Sequence, residues 1–556
     1  MGNSPEVALP FVAPAPTGDL RPQWAPTSPP EPRRRLDLLL GTPGVVAVAL
    51  VVGVAASWFA WRNDLLFLYA DARSHLTIAR RLIDGPTSGI GQFGTVWLPL
   101  PHVLLAPFVA VRALWRSGLA AIPLDLACLA IEAAAVFSIV RRLTRSRLAA
   151  WIGVLALLTN PSILYLHTTG LTEPVLFASM LATVAMLTRW ADATKPYSGG
   201  EMAVFCGLPA SAMILARYDG WAFTAAATVF VIVATQIRWG IWRYSLRMAR
   251  SFVILPVVAA LWWMWFNWIN FGDPLEFQRG RWSAQAQQEL LARDGLLPDQ
   301  HDLVRSLGTY TSSVVRGIGW IVIGAGVLGM LLWAVRGRWQ PRALAPWLLV
   351  AVPFGFYVAS LYTGQIAVRL DATETQSMFN LRYGVEMLPG LAVFAGLGAG
   401  VLRTTKRTAS WSRVPIAVVG IAAVAVAAVA WWPGWRDVPV VREGLEQRAA
   451  GRSQYAAAEW MREHARDGTI LIDDSINPLL PVIDADLDRA IAPFSGPRWD
   501  RALRNPSRVD WVYVDTANPF DAVGKAVRRD PSFPGDFVLR HEDGPAKVYQ
   551  RRSSAS

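Results

Sequence analysis

The sequence predicts a polytopic α-helical membrane protein that ends in a small α/β domain, and three observations lead there. The 556-residue chain is 53% hydrophobic, too apolar for an ordinary soluble multidomain protein. The apolar residues fall in runs of about 17 to 25, the length a helix needs to cross about 30 Å of hydrocarbon. Finally, basic clusters alternate with those runs, as orienting charges do. Gly and Pro inside the runs are compatible with helices, because lipid forces each segment to satisfy its own backbone groups. Many of the 26 tryptophans stand near run ends, where indoles favour the interface.

Eleven candidate spans follow: residues 40 to 60, 119 to 141, 148 to 165, 171 to 189, 202 to 217, 219 to 238, 251 to 271, 313 to 335, 343 to 363, 382 to 402 and 414 to 432. The clusters Arg141/Arg142/Arg145/Arg147, Arg189/Lys195, Arg238/Arg243/Arg247/Arg250, Arg336/Arg338/Arg342 and Arg403/Lys406/Arg407/Arg413 then all face the cytoplasm, as does the N-terminus. A further apolar segment, Leu98 to Trp115, would reverse every later loop if it crossed. Its opening, Leu98-Pro99-Leu100-Pro101-His102, suits a spanning helix poorly, so a juxtamembrane or re-entrant helix on the outer side is expected. Residues 1–38 are Pro-rich, end in Arg33-Arg34-Arg35, and read as a disordered cytoplasmic tail rather than a signal peptide.

After Pro433 the character changes. An amphipathic helix pattern at Tyr455 to Ala465 precedes strand-like runs at Thr469 to Asp473, Val509 to Asp515, Phe537 to His541 and Lys547 to Gln550. This predicts three regions: the tail, a membrane module over 39–432, and an extracytoplasmic α/β domain over 433–556. Asp484-Ala485-Asp486-Leu487-Asp488 has the look of a calcium loop, but Arg489 stands where a glycine is required, and a solvated loop is the better reading.

Several chemistries are disfavoured. The net charge of +12 is spread between spans and forms no nucleic-acid-binding stripe. Cys128 and Cys206 both lie in apolar runs and read as inert buried thiols. No His/Asp/Glu spacing resembles a dedicated metal cage, so no cofactor is predicted and dependence on a divalent metal is left open.

The unusual polar residues gather at predicted outer boundaries. Asp71-Ala72-Arg73-Ser74-His75 follows the first span; an acid beside a bilayer is costly without a task or a partner, and Arg73 and His75 are available as partners. Thr172-Glu173-Pro174 opens a span, where Glu173 either lines a site or caps the helix. Arg217-Tyr218-Asp219-Gly220-Trp221, Phe271-Gly272-Asp273-Pro274-Leu275, and Arg382-Tyr383 ahead of Leu388-Pro389 lie at the same level. Arg217 and Arg382 are candidate anion ligands or helix anchors, Asp219 is a candidate partner of Arg217, and His102 is either a ligand or an interfacial packing residue. Glu132, near the middle of a span, reads as a structural pair or a neutral hydrogen-bonded acid in preference to a direct role.

The order of these motifs resembles that of the GT-C superfamily of membrane glycosyltransferases. The family pattern is an acid in the first outer loop, a Pro-rich helix start (Trp97 to His102), a Thr-Glu-Pro turn, an Arg-Tyr-acid-Gly-Trp turn, a Phe-Gly-Asp-Pro-Leu segment, and a late Arg-Tyr before a Leu-Pro helix. The resemblance covers about residues 40–432. The Trp-Trp-Asp-Tyr-Gly motif of oligosaccharyltransferases is replaced by Trp431-Trp432-Pro433-Gly434, and the Asp-Glu pair of protein O-mannosyltransferases by Asp71 alone, which disfavours both subfamilies.

The resemblance implies an inverting transferase that takes its sugar from a polyprenyl-phosphate carrier and passes it to a glycan, lipoglycan or protein acceptor. It implies Asp71 as general base with Glu173 in the site, and His75, His102, Arg217, Asp219, Arg279, Arg281, Arg382 and Tyr383 as substrate-binding residues. The abundance of Ala, Arg, Val and Gly fits a GC-rich bacterial genome, hence a plasma-membrane location. The rival readings are a transporter or flippase of lipid-linked substrates and a scaffold presenting the C-terminal domain. A transporter predicts an internal repeat and charges near the midplane; no repeat is evident, and the unusual polar residues gather at the outer boundary instead.

Overall fold

A computed structural model describes residues 40–280, 283–293, 295–336, 340–372, 377–403, 434–476 and 478–552. The predicted tail and the candidate span at 414–432 lie outside these residues. Among the described residues seven helices are long and apolar enough to cross a membrane: Thr42–Arg62, Leu119–Thr144, Glu173–Asp192, Asp219–Trp239, Trp242–Phe271, Pro341–Tyr362 and Leu381–Leu402. Large apolar side chains such as Val51, Trp58, Val258, Leu261 and Ile321 are exposed on the bundle surface. Outward apolar side chains at this density suit a lipid surround. The chain is a multi-pass membrane protein.

The other predicted spans take different forms, each with a local cause. The run 148–165 breaks after helix Arg147–Leu158, because Asn160 caps a new short helix, Pro161–Leu166. The Asn160 side chain accepts from the main-chain N–H of Ser162 at 2.9 Å and Ile163 at 3.2 Å, and Pro161 has no N–H to satisfy. The run 202–217 begins as a π-helix, Met202–Gly207, and continues only to Ile214. The run 313–335 is divided between Leu303–Ile318 and Trp320–Arg336, bent by 112°. Gly319 at the break has φ +85°, a conformation that costs L side chains energy. Leu98 to Trp115 forms helix Leu100–Val109, with Pro107 inside it, and the short helix Arg112–Ser117. Ten residues rise only about 15 Å, half the hydrocarbon thickness.

The helix Glu173–Asp192 joins the two ends of the bundle. Its last residue, Asp192, receives Arg142 at 3.3 Å and is also paired with Arg342, while Arg238 donates to the Ala191 carbonyl at 3.2 Å. Arg142, Arg238 and Arg342, from three of the predicted basic clusters, thus converge on one end, where cations also complement helix C-termini. Its first residue, Glu173, stands at the opposite end. Helices Trp320–Arg336 and Leu388–Arg403 pack so closely that a Cβ on Gly329 would meet the Phe394 carbonyl oxygen at 2.0 Å. Small residues that let backbones approach are the usual source of helix association in lipid. Cys128 and Cys206 are both buried and unbridged.

The C-terminal region forms a five-stranded sheet in the order β2-β1-β3-β5-β4. The strands are β1 (Ile470–Leu471), β2 (Ala490–Ile491), β3 (Trp511–Asp515), β4 (Phe537–Asp543) and β5 (Ala546–Arg551). β1 runs parallel to β2 and β3, and β5 is antiparallel to β3 and β4, with Val512 opposite Tyr549. The sequence pattern misses β2, whose two residues are too few to show an alternation. Leu76, Leu105 and Trp115 of the segments near the first span share one hydrophobic core with Met461, Ile470 and Leu480, so the sheet region is seated on the helical module. Arg73 donates to the Pro478 carbonyl at 2.8 Å and pairs with the Tyr455 hydroxyl, which itself donates to the Phe67 carbonyl at 2.7 Å. The acidic loop read as solvated is in fact a docking element. Arg112 reaches Asp484 at 2.9 Å and Asp486 at 2.6 Å, and Arg116 reaches Asp484 at 3.2 Å.

Candidate active site

A cavity of about 770 Å³ opens at the end of the bundle away from the basic clusters, lined by Asp71, His75, Trp97, Glu173, Arg217, Asp219, Tyr357, Arg382 and Tyr383 among others. The charged members Asp71, Glu173, Arg217, Asp219 and Arg382 come from helix starts or turns, whereas Glu289 lies within helix Ala284–Arg293. Asp71 lies in the first turn of helix Ala70–Arg81, and His75 follows one turn later on the same face. Glu173 opens its helix, as the capping reading requires, and faces the cavity as well. Arg217 and Asp219 flank the start of Asp219–Trp239, and Arg382 sits on the tight turn Leu381–Met387.

Two guanidinium groups organise the acids. Arg382 pairs with Asp71 through Nη2, and its Nε stands 3.2 Å from Glu173 Oε1. Arg217 lies 3.1 Å from the same Glu173 oxygen, 3.1 Å from Asp219 Oδ2 and 3.6 Å from Glu386 Oε1. Tyr357 donates to Asp219 at 2.9 Å and also contacts Glu386. Tyr69 and Tyr383 lie against Arg382, with ring centroids 5.1 and 5.6 Å from the guanidinium carbon. Glu173 is thus held between both cations, and four carboxylates surround two guanidinium groups. Asp71 differs from the other acids in access, its side chain being 37% exposed where those of Glu173, Asp219 and Glu386 are buried.

Burial works to raise the Asp71 carboxyl, but the paired Arg382 guanidinium outweighs it and holds the group below the usual carboxylate range. Asp71 is therefore ionised at neutral pH. His75 and His102 face each other at 2.9 Å between Nδ1 and Nε2, and the His75 ring packs against Trp97 at 4.6 Å. Burial pushes His75 down to about 4 and His102 well below the usual histidine range, so both rings are neutral. The partners open to Asp71 in the sequence are thus otherwise engaged. Arg73 holds the C-terminal region and His75 holds His102, while the partner of Asp71 is a cation 311 residues away.

Of the sequence candidates, Asp71, His75, Glu173, Arg217, Asp219, Arg382 and Tyr383 share the cavity wall. His102 stands one contact behind it, through His75. Arg279 does not join the cluster; it is exposed and lies 3.9 Å from Asp273. Arg281 is outside the described residues. Tyr357 and Glu386 join the cluster beyond the residues that the motifs mark. Glu386, an acid one turn after Arg382 at the head of an apolar run, carried a readable signal, whereas Tyr357 in an apolar run carried none. Among the described residues no group of three or more His, Cys, Asp or Glu is disposed to hold a metal ion.

The helical bundle and the appended sheet together have the fold of a solved membrane protein. The chain is similar to ArnT from Cupriavidus metallidurans in two crystal structures. Bound to undecaprenyl phosphate, that protein matches over 91% of this chain and 98% of its own, with TM-score 0.53 and 15% identity. In its apo state it matches over 90% and 97%, with TM-score 0.53 and 15% identity. An Archaeoglobus fulgidus oligosaccharyltransferase in complex with Zn and sulfate matches over 91% and 73%, at TM-score 0.46 and 12% identity. No family model matches the chain, and no curated protein matches it.

Proposed function

We propose that this protein is an inverting glycosyltransferase that moves a sugar from a polyprenyl-phosphate carrier to a hydroxyl of a cell-envelope glycan, lipoglycan or protein, on the extracytoplasmic face of a bacterial plasma membrane. The observation that carries this reading is the half-buried but accessible carboxylate of Asp71 set against Arg382 on the wall of a 770 Å³ cavity in an apolar bundle. The resemblance of the motif order to GT-C enzymes supports it, as does the shared fold with a protein crystallised with undecaprenyl phosphate.

The chemistry follows from the charges. The carrier's phosphate is an anion, and among the described residues Arg217 and Arg382 are the arginines that line the cavity. Glu173, Asp219 and Glu386 hold those cations in place. Asp71 removes the proton from the acceptor hydroxyl as its oxygen attacks the anomeric carbon from the side opposite the phosphate. The bond from that carbon to the phosphate oxygen breaks, the lipid phosphate leaves with the electron pair, and the anomeric centre inverts. General-base assistance of this kind is worth on the order of 10² to 10⁴ in rate. Phosphate binding also draws Arg382 from Asp71, which raises the basicity of the carboxylate when the donor is present.

The test is reconstitution in lipid vesicles with radiolabelled polyprenyl-phosphate mannose and polyprenyl-phosphate arabinose. Transfer to an envelope-derived glycan acceptor with inverted configuration is expected. Movement of intact donor between leaflets, with no new glycosidic bond, would overturn the proposal in favour of a flippase.

A further inference from the structure

The helix Pro439–Ala450 leads into the sheet region and lies across the strand-like approach to Arg382. Three main-chain N–H groups of that approach end on two carboxylates of the helix. Glu443 accepts from Asn380 through Oε1 at 2.7 Å and from Leu381 through Oε2 at 2.9 Å, and Glu446 accepts from Met378 at 3.1 Å. Glu443 is buried, and Gln447 donates to its Oε1 at 3.2 Å. Asn380 has φ +59°, a left-handed conformation that an L residue keeps only where its surroundings hold it. Its side-chain amide donates to the Ala367 carbonyl at 3.0 Å. The Tyr69 hydroxyl donates to the Val440 carbonyl of the same helix at 2.7 Å, and its ring supports the Arg382 guanidinium. Neither Glu443 nor Glu446 lines the cavity.

We propose that Glu443 is a positioning residue: by clamping the consecutive amides of Asn380 and Leu381 it sets the turn that carries Arg382, and so makes phosphate binding in the cavity depend on the seated C-terminal region. The inference rests on the reading of Arg382 as a phosphate ligand. A carboxylate that accepts two successive N–H groups, one on each oxygen, fixes the peptide plane between them as well as its distance. Arg382 is the next residue, so a tilt of that plane is passed directly to the guanidinium that bridges Asp71 and Glu173. Displacement by about 1 Å in such a site is enough to cost up to about 100-fold in function.

Glu443→Gln is the discriminating variant, since it keeps size and burial but turns a side-chain NH₂ toward a main-chain N–H. The full chain in lipid nanodiscs is measured for undecaprenyl phosphate affinity and for hydrogen exchange, with Arg382→Gln as reference. The expected result is about ten-fold weaker undecaprenyl phosphate binding, with faster exchange confined to residues 378–387 while the amides of β1 and β3 keep wild-type protection. Wild-type affinity in a folded Glu443→Gln protein overturns the proposal, and so does exchange that rises equally through the sheet, which marks a merely structural role. If Glu443→Gln does not fold, Glu446→Ala removes the outer member of the clamp; local exchange at Met378 with weaker binding supports the proposal, and unchanged exchange there overturns it. Arg382→Gln binding like wild type would refute the phosphate reading of the cavity; the clamp itself is then decided by the exchange pattern alone.

Discussion

Two clusters of buried ionisable groups occupy the same helical bundle, and they are built differently. In one, Glu132 and His167 pair at 2.8 Å, the second His167 nitrogen meets the Ile163 carbonyl at 2.8 Å, and Asp125 accepts from the Gly170 N–H at 3.3 Å. None of these side chains lines the cavity. In the other, Asp71, Glu173, Asp219 and Glu386 surround Arg217 and Arg382 at the cavity wall. Glu173 Oε1 stands near both guanidinium groups without the alignment of a hydrogen bond, and neither Glu173 Oε2 nor Arg382 Nη1 has a hydrogen-bond partner. A closed cluster that completes most of its own hydrogen bonds anchors helices. An open one with misaligned groups facing a void is arranged for something that arrives.

The comparison is broken or sharpened by separating stability from turnover in each cluster. The largest effect is expected for Asp71→Asn, which keeps size and hydrogen-bonding capacity but cannot take up the hydroxyl proton. Transfer from a radiolabelled lipid-linked sugar should fall by about 10² to 10⁴, with undecaprenyl phosphate still bound and thermal unfolding near wild type. Retention of more than about a tenth of wild-type turnover would move the base to Glu173.

Glu132→Ala should do the reverse. Removing one partner of a buried pair costs about 3 to 5 kcal/mol, read as a lower unfolding temperature, while turnover per folded molecule stays near wild type. A turnover loss comparable to that of Asp71→Asn would erase the distinction between the clusters.

The histidine pair, with His75 on the cavity wall and His102 behind it, gives a smaller, pH-dependent effect. An unfolded histidine takes up a proton near 6.5, whereas folded His75 stays neutral down to about 4. As pH falls through that window the unfolded state binds protons that the folded state refuses. Stability should be complete above about pH 6.5 and lost progressively toward pH 4. His75→Gln should flatten the pH dependence of the unfolding temperature over this window, and an unchanged slope would exclude the ring as its source.

Smallest is Arg112→Ala. The ion pairs of Arg112 with Asp484 and Asp486 are partly exposed, and exposed pairs contribute about 0 to 1 kcal/mol. A drop in unfolding temperature as large as that of Glu132→Ala would show that the sheet region is held mainly by this loop rather than by the core shared through Leu76, Trp115 and Met461.

What the sequence determined by itself is whatever depends on local composition. Spans such as Thr42–Arg62 and Glu173–Asp192 announce themselves because about 20 apolar residues in a row have few other solutions. Asp71 was legible as an acid too costly to place beside a bilayer without cause, and the order of the Thr-Glu-Pro, Arg-Tyr-Asp-Gly-Trp and Arg-Tyr motifs pointed to the fold. Even locally, the run 148–165 misled, since hydropathy averages over the Asn160-Pro161 break that ends the helix. The tertiary structure alone decided which charge meets which. Arg73 and His75 were near Asp71 in sequence yet point to Pro478 and His102, and Arg382 arrives from 311 residues away. Tyr357, in an apolar run, carries no sequence signal, and neither does the contact of Glu443 with the turn before Arg382. Their roles come from helix packing, which brings one residue per element to a common point, and no period or spacing along a chain records where separate helices meet.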